Sequence, residues 1–318
     1  MRKMDHFEEA AKDGQLSGLG FGQGQEGERR IHLSTFLAPL LFMVLHHLVL
    51  SGASVVRLLY FLGKNPQYQE ALLQDPAGTS MMEILLEGNV MTYASLMGML
   101  VLIPAYLLYL TYRKRKAIPL LLCQRISPSQ LFSSLSIILG ALGLTQVWMV
   151  ILASLDPASL PGRLFQDYLD KMMLFDGRSA DLPLELLVTV VLVPLGEELL
   201  FRGIVQGELR RSFSPAITVV ATTLLFAIFH LDLIQGSYVL IAGFALSVSY
   251  QLTRNILLPI LMHMVFNFIG SGWFSRLMGG GETAELILVC FLYASILLGA
   301  FGFYYLLKKE AGLEKAGP

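Results

Sequence analysis

The chain has 318 residues, of which 54% are hydrophobic and 15% are charged, and its formal net charge is -1. Soluble domains carry about 25% charged residues, so this composition indicates a protein that lies mostly in lipid. The near-zero net charge and the lack of a glycine-rich phosphate loop or a basic, aromatic stretch argue against a nucleic-acid partner. The two cysteines, Cys123 and Cys290, fit neither a disulfide framework nor a zinc knuckle.

Residues 1–33 contain Arg2 and Lys3 but no long apolar run, and they include a glycine-rich segment from Gly18 to Gly27. This pattern is typical of a flexible polar tail and not of a signal peptide. We expect the tail to be cytoplasmic.

Seven windows without Asp, Glu, Lys or Arg follow, each long enough to cross a bilayer, which needs roughly 20 residues. They are residues 31–56, 88–112, 126–155, 212–231, 233–253, 255–275 and 286–307. An eighth apolar stretch, residues 182–205, is also long enough but is interrupted by charged residues. Because an open sheet edge cannot face lipid, the sequence predicts an all-α bundle of about eight transmembrane helices.

The basic residues predict how this bundle lies in the membrane. With the N-terminus inside, eight crossings put the run 113–116 and most other Lys and Arg residues on the inner side, which follows the positive-inside rule. We therefore expect a multi-pass protein of a bacterial inner (plasma) membrane with both termini cytoplasmic. The two long outer loops, residues 62–89 and 155–181, are predicted to contain short surface helices.

The interrupted stretch places adjacent carboxylates, Glu197 and Glu198, inside the membrane, where each charge costs about 2.5 to 3.5 kcal/mol. Successive helical residues point about 100° apart, so the two are expected to differ in role. Glu198 precedes Arg202 by four residues, the orientation that favours an ion pair on one helix face. Glu197 is then left without a local partner, which makes it the first candidate for a general base or acid acting on water.

Two later predicted helices carry histidines at a comparable depth. His230 lies four residues after Phe226, and His263 lies four residues before Asn267, so that the imidazole of His263 and the amide share a face. Counting ~1.5 Å per residue from the inner side puts Glu198, His263 and His230 about 18, 14 and 24 Å deep. Both histidines and the asparagine are therefore expected to face the glutamates.

Other polar residues in the predicted spans have no partner at a recognisable spacing. They are His46, His47 and Arg57 in the first span and Gln146 in the third. Packing or interface roles are the preferred interpretation for all of them.

Three motifs together resemble the CPBP family of CAAX proteases and bacteriocin-processing enzymes, which is related to the Ras-converting CAAX prenyl protease. The family pattern is Glu-Glu-x-x-x-Arg, Phe-x-x-x-His and His-x-x-x-Asn on separate membrane helices. The matching residues here are Glu197, Glu198 and Arg202, then Phe226 and His230, then His263 and Asn267. The resemblance covers residues 184–270 and implies an all-helical membrane endopeptidase.

This resemblance also implies a domain organisation and a substrate class. The catalytic core would be residues 183–275, preceded by the first three helices and outer loops in 34–182 and followed by the last helix and a cytoplasmic tail in 276–318. The partners would be the lipid bilayer and a membrane-associated protein or peptide, such as a CAAX tail, a leader peptide or a C-terminal sorting segment.

The roles that the resemblance implies are specific. Glu197 with His230 would activate a water molecule, and His263 with Asn267 would stabilise the oxyanion of the tetrahedral intermediate. The supporting residues would be Glu198, Arg202 and Phe226.

A zinc enzyme is the open alternative, with Glu197, His230 and His263 as the three protein ligands. The usual His-Glu-x-x-His helix is absent, and an oxyanion site that uses His263 leaves too few zinc ligands. We therefore favour a glutamate mechanism without a metal or other cofactor.

Two other functions are weighed against the protease. The intramembrane Glu, Arg and His residues would also suit a proton- or ion-coupled transporter, but the two halves of the chain do not match as inverted repeats would. A non-catalytic scaffold or immunity protein would not need the complete motif set.

Overall fold

A computed structural model describes residues 31–74, 79–175 and 181–316. The predicted tail, residues 1–33, lies outside the described residues except for its last three positions. Within the described ranges the chain is helical and has no strand, and Cys123 and Asn255 form an isolated β-bridge.

The helices appear in the order that the apolar windows predict. Their bounds are α1 Leu33–Lys64, α2 Pro66–Gln74, α3 Thr79–Glu87, α4 Val90–Arg115, α5 Pro128–Ala153, α6 Leu160–Phe175, α7 182–209, α8 Pro215–Phe229, α9 Leu233–Thr253, α10 Leu257–Gly270, α11 Trp273–Leu277 and α12 Glu282–Ala316. The eight predicted spans correspond to α1, α4, α5, α7, α8, α9, α10 and α12. Surface helices α2, α3 and α6 fall in the two predicted outer loops.

Five of these helices, α1, α4, α5, α9 and α12, are long and apolar enough to cross a membrane, and α8 and α10 are shorter apolar helices. Large apolar side chains point away from the bundle, such as Leu40 on α1 and Phe301 on α12, which are 62% and 70% exposed. An outer surface of this kind requires lipid. The prediction of an all-α membrane helix bundle is confirmed, and the chain is an integral membrane protein.

Helix α1 extends beyond its predicted end because Arg57 has a partner. Its Nε donates a hydrogen bond to the Gly88 carbonyl oxygen at 2.9 Å, and its guanidinium lies 4.0 Å from the Tyr93 ring centroid. Arg57 has no partner at a recognisable spacing in the sequence because its contacts come from a segment more than 30 residues away.

Helix α7 lies at the centre of the bundle and carries the adjacent glutamates. Every residue from 198 to 209 is buried. Two π-helical segments, Leu187–Leu192 and Leu199–Val205, flank the α-helical segment Val193–Glu198. Such widened turns are often found at functional sites, and they change the direction in which the following side chains point.

Small residues let α7 approach α4 closely. A Cβ atom at Gly196 would lie 2.5 Å from Met99 Sδ, and one at Gly203 would lie 3.2 Å from Leu110 Cδ1. The earlier residue of α7 contacts the earlier residue of α4, and the later residue contacts the later one, so the two helices run parallel. Helices α4 and α7 are the second and fourth of the eight predicted spans, and alternate spans are expected to cross the membrane in the same direction.

A buried carboxylate anchors the far end of α7. Glu208 is fully buried, accepts a hydrogen bond from Tyr109 at 2.8 Å, and forms ion pairs with Arg113 at 2.8 Å and Arg211 at 2.6 Å. This network connects α7 to α4 well away from the glutamate pair.

Candidate active site

Glu198 and Arg202 form an ion pair within α7, with Arg202 Nη1 2.9 Å from Glu198 Oε1 and both side chains fully buried. Arg202 Nη2 also donates to the Gly243 carbonyl oxygen on α9 at 3.2 Å. Its guanidinium lies 4.7 Å from the ring centroid of Phe226 on α8. The arginine thus connects three helices, and its charge is compensated inside the bundle.

Phe226 packs between the polar residues of the site. Its ring meets the rings of His230 and His263 edge to face, with centroids 4.9 and 5.9 Å apart. Phe201 on α7 contacts the same ring at 4.9 Å. Because the buried Phe226 ring touches both histidines and the arginine, it fixes their relative positions.

His263 on α10 lies between the two glutamates. Its Nδ1 is 2.8 Å from Glu198 Oε1, and its Nε2 is 3.8 Å from Glu197 Oε2. The Glu198 side chain has no exposed surface, whereas the Glu197 side chain is 12% exposed. The two carboxylates are adjacent in sequence but differ in environment. Glu198 is fully buried, whereas Glu197 remains partly accessible to solvent.

His230 occupies the C-terminal end of α8. Its Nδ1 is 2.8 Å from the Phe226 carbonyl oxygen. A carbonyl only accepts, so Nδ1 carries the proton, and Nε2 of the neutral ring keeps a free lone pair. Within the described residues His230 makes no hydrogen bond or ion pair with either glutamate. The histidine beside Glu197 is thus His263, whereas the resemblance pairs Glu197 with His230.

Asn267 lies one turn after His263 on α10 and faces the first π-helical segment of α7. Its Nδ2 donates a hydrogen bond to the Thr189 carbonyl oxygen at 2.9 Å. A carboxamide group has a second N–H, which this bond does not use. The amide is therefore held against α7 with one donor left for another acceptor.

Two residues that the sequence assigned to packing or overlooked lie near the site. His46 Nδ1 on α1 is 2.8 Å from the Tyr106 hydroxyl on α4, and the His46 ring centroid is 4.9 Å from that of Phe229, the neighbour of His230. His46, which has no partner at a recognisable spacing in the sequence, thus has one on another helix. The pair spans 60 residues, so no local spacing reveals it, although a histidine in an uncharged span is itself a signal.

The three residues of the alternative zinc set do not form a ligand set. Among the residues that the structure describes, no group of three or more His, Cys, Asp or Glu side chains is arranged to hold a metal ion.

Comparison with known proteins identifies this same segment. Residues 179–269 match the family model described as type II CAAX prenyl endopeptidase, Rce1-like. Over 85 residues, or 27% of the chain, the sequence is 29% identical to YdiL of Bacillus subtilis (strain 168), whose name describes a candidate membrane peptidase. The match spans 35% of that relative. No solved structure matches the chain.

The family match starts just before α7 and ends within α10, so it contains all three motifs whose side chains meet around His263. It also agrees with the range of the resemblance in the sequence. Over residues 179–269, the chain is therefore similar to the type II CAAX prenyl endopeptidases of the Rce1-like family.

Proposed function

We propose that this protein is an intramembrane endopeptidase that hydrolyses a peptide bond of a membrane-associated substrate. The observation that carries the proposal is the unequal pair of carboxylates. Glu197 is accessible and lies beside a histidine, whereas Glu198 is enclosed by Arg202 and His263. An accessible carboxylate in an apolar setting suits proton transfer with a water molecule.

In the proposed reaction, Glu197 takes a proton from water as the water oxygen attacks the scissile carbonyl carbon. The negative charge then moves to the carbonyl oxygen of the tetrahedral intermediate. When the carbon–nitrogen bond breaks, Glu197 returns the proton to the leaving amine, so the carboxylate is regenerated. His230 Nε2, which keeps a lone pair, assists by accepting a hydrogen bond from the attacking water.

We assign the oxyanion to His263 and Asn267. Asn267 offers the N–H that is not used by Thr189. His263 is directed by the contact between its Nδ1 and Glu198, and it offers Nε2–H to the substrate oxygen. Glu198 and Arg202 thus act indirectly by fixing the direction of the imidazole.

Asn267→Ala is expected to lower kcat about 100- to 1,000-fold, the usual cost of removing one oxyanion donor. KM should change little, because the donor acts mainly on the charge that develops in the intermediate. Steady-state cleavage assays in proteoliposomes measure both constants.

Asn65→Ala is the matched control. Asn65 directly follows α1, and its side-chain amide donates a hydrogen bond to the Phe61 carbonyl oxygen at 2.8 Å. The substitution therefore removes the same kind of hydrogen bond outside the candidate site. It should leave kcat unchanged. Equal losses in the two variants would remove Asn267 from the oxyanion site.

Cleavage is expected to continue in the presence of a metal chelator, and the purified active protein should contain much less than one zinc per chain. The reason is that the accessible Glu197 activates water without a metal in the proposed reaction. Elemental analysis and chelator titration of the same preparation test this. Stoichiometric zinc whose removal abolishes cleavage would establish the metal alternative.

Substrate trapping tests the proposed function itself. Glu197→Ala, expressed as the full chain in native membranes and crosslinked, should retain uncleaved substrate that mass spectrometry can identify. A prenylated CAAX tail, a leader peptide and a C-terminal segment are the substrate classes to be distinguished. The captured protein should then be cut at one peptide bond by the wild type and left intact by the variant.

The transporter alternative predicts a different result in the same membranes. An ion or proton flux that depends on Glu197, without any peptide-bond cleavage, would replace the protease proposal. We further propose a bacterial plasma membrane with both termini cytoplasmic, which terminal reporter fusions test directly.

A further inference from the structure

The first and second membrane helices, which lie outside the family match, bring a buried polar pair to the active site. His46 on α1 and Tyr106 on α4 are 1% and 0% exposed. His46 Nδ1 lies 2.8 Å from the Tyr106 hydroxyl oxygen, and the two rings are stacked at an interplanar angle of 17°. Burying such polar groups costs free energy unless they are hydrogen-bonded, and here each group is the partner of the other.

Tyr106 is directed toward the glutamate segment of α7. Met99, Ile103, Tyr106 and Leu110 follow one another at spacings of three or four residues and so share one face of α4. On this face Met99 and Ile103 approach Gly196, and Leu110 approaches Gly203.

The segment of α7 between these two contacts begins with Glu197. Tyr106 lies between the same contacts along α4, and it packs in one buried cluster with Leu199 and Leu200 of this segment. The Tyr106 ring therefore packs against the segment of α7 that begins with the accessible carboxylate.

His46 reaches the other side of the site. Its ring centroid lies 4.9 Å from that of Phe229, which directly precedes His230. The pair thus lies between the α7 segment that carries the proposed base and the end of α8 that carries the proposed assisting histidine.

We propose that His46 and Tyr106 are positioning residues of the peptidase reaction, with His46 holding the Tyr106 hydroxyl and that hydroxyl orienting the Glu197 carboxylate. His46 Nδ1–H donates to the hydroxyl oxygen, which leaves the hydroxyl hydrogen to donate to Glu197. No proton leaves the pair during the reaction. This inference rests on the proposed function and adds to it a contribution from α1 and α4.

Tyr106→Phe tests the inference because it removes only the hydroxyl. A lost hydrogen bond to a charged group corresponds to about a 10- to 100-fold decrease, which should appear in kcat with KM nearly unchanged. His46→Leu should cause a similar decrease. The double variant should be no slower than the slower single variant, because the two residues act as one unit.

Two further variants separate positioning from stability. His46→Asn retains a side-chain N–H and should recover part of the kcat that His46→Leu loses. Tyr109→Phe, three residues later on α4, loses a hydroxyl bond of the same 2.8 Å length, but to Glu208. It should lower the thermal midpoint and leave kcat unchanged.

Wild-type kcat in Tyr106→Phe, or additive losses in the double variant, would overturn the inference. Glu197→Gln is measured in parallel to separate this failure from that of the proposed function. If Glu197→Gln is inactive while Tyr106→Phe is fully active, the peptidase assignment stands and the positioning pair does not. If Glu197→Gln cleaves as the wild type does, both are overturned.

Discussion

Glu197→Gln is expected to lower the rate of peptide-bond cleavage about 100- to 10,000-fold, the range for loss of a general base, while the protein still inserts and folds. Glutamine has nearly the same shape as glutamate but cannot take a proton from water. The folding cost should be small because Glu197 is partly accessible and its contact with His263 is 3.8 Å long, beyond hydrogen-bond distance. Cleavage rates and thermal midpoints in one detergent measure both effects.

Glu185→Gln is the matched control for this prediction. Glu185 is a carboxylate on the same helix, 12 residues earlier, and it is not part of the cluster around His263. Its substitution should leave both cleavage and the thermal midpoint near wild type. Similar losses in the two variants would mean that any charge change in α7 impairs the protein, and Glu197 would lose its assigned role.

Glu198→Gln is expected to act mainly on folding, with a loss of about 3 to 5 kcal/mol of stability, as found when one member of a buried ion pair is removed. The substitution leaves Arg202 charged and uncompensated in a position with no exposed surface. It also weakens the 2.8 Å contact that directs His263. Yield of inserted protein and the thermal midpoint measure this effect, and activity should fall with them.

Removing the partner charge as well distinguishes a folding effect from a catalytic one. Glu198→Gln combined with Arg202→Met eliminates the uncompensated cation and should recover much of the lost stability. Cleavage should recover less, because His263 remains without its carboxylate. A Glu198→Gln single variant that is as stable as the wild type and yet inactive would show that the two glutamates share one catalytic task.

The membrane fold follows from the sequence because its main signal is local. Charge-free windows longer than the bilayer requires identify the spans, and lipid permits few alternatives to helices. The helix ends were predicted less well. Arg57 ended the first predicted window, yet α1 continues to Lys64 because Gly88 and Tyr93 satisfy the guanidinium. Contacts between segments this far apart cannot be predicted from local composition.

The candidate site likewise has one part that could be predicted from the sequence and one part that could not. The pairing of Glu198 with Arg202 could be predicted because it lies within one helix. Helix depth placed the histidines at a comparable level but did not determine how each helix is rotated about its axis. The π-helical segments of α7 alter that rotation, and His263 lies beside both glutamates. The pair of His46 and Tyr106 depends entirely on the packing of α1 against α4.

Incorporation of heavy oxygen during cleavage tests the central claim most directly. The purified full chain in proteoliposomes is supplied with the substrate captured by Glu197→Ala, in water enriched in oxygen-18, and the products are analysed by mass spectrometry. We predict that the wild type produces one new carboxyl terminus labelled with oxygen-18 and that Glu197→Gln produces none at equal protein. The same labelled product at the same rate from both proteins would contradict the account.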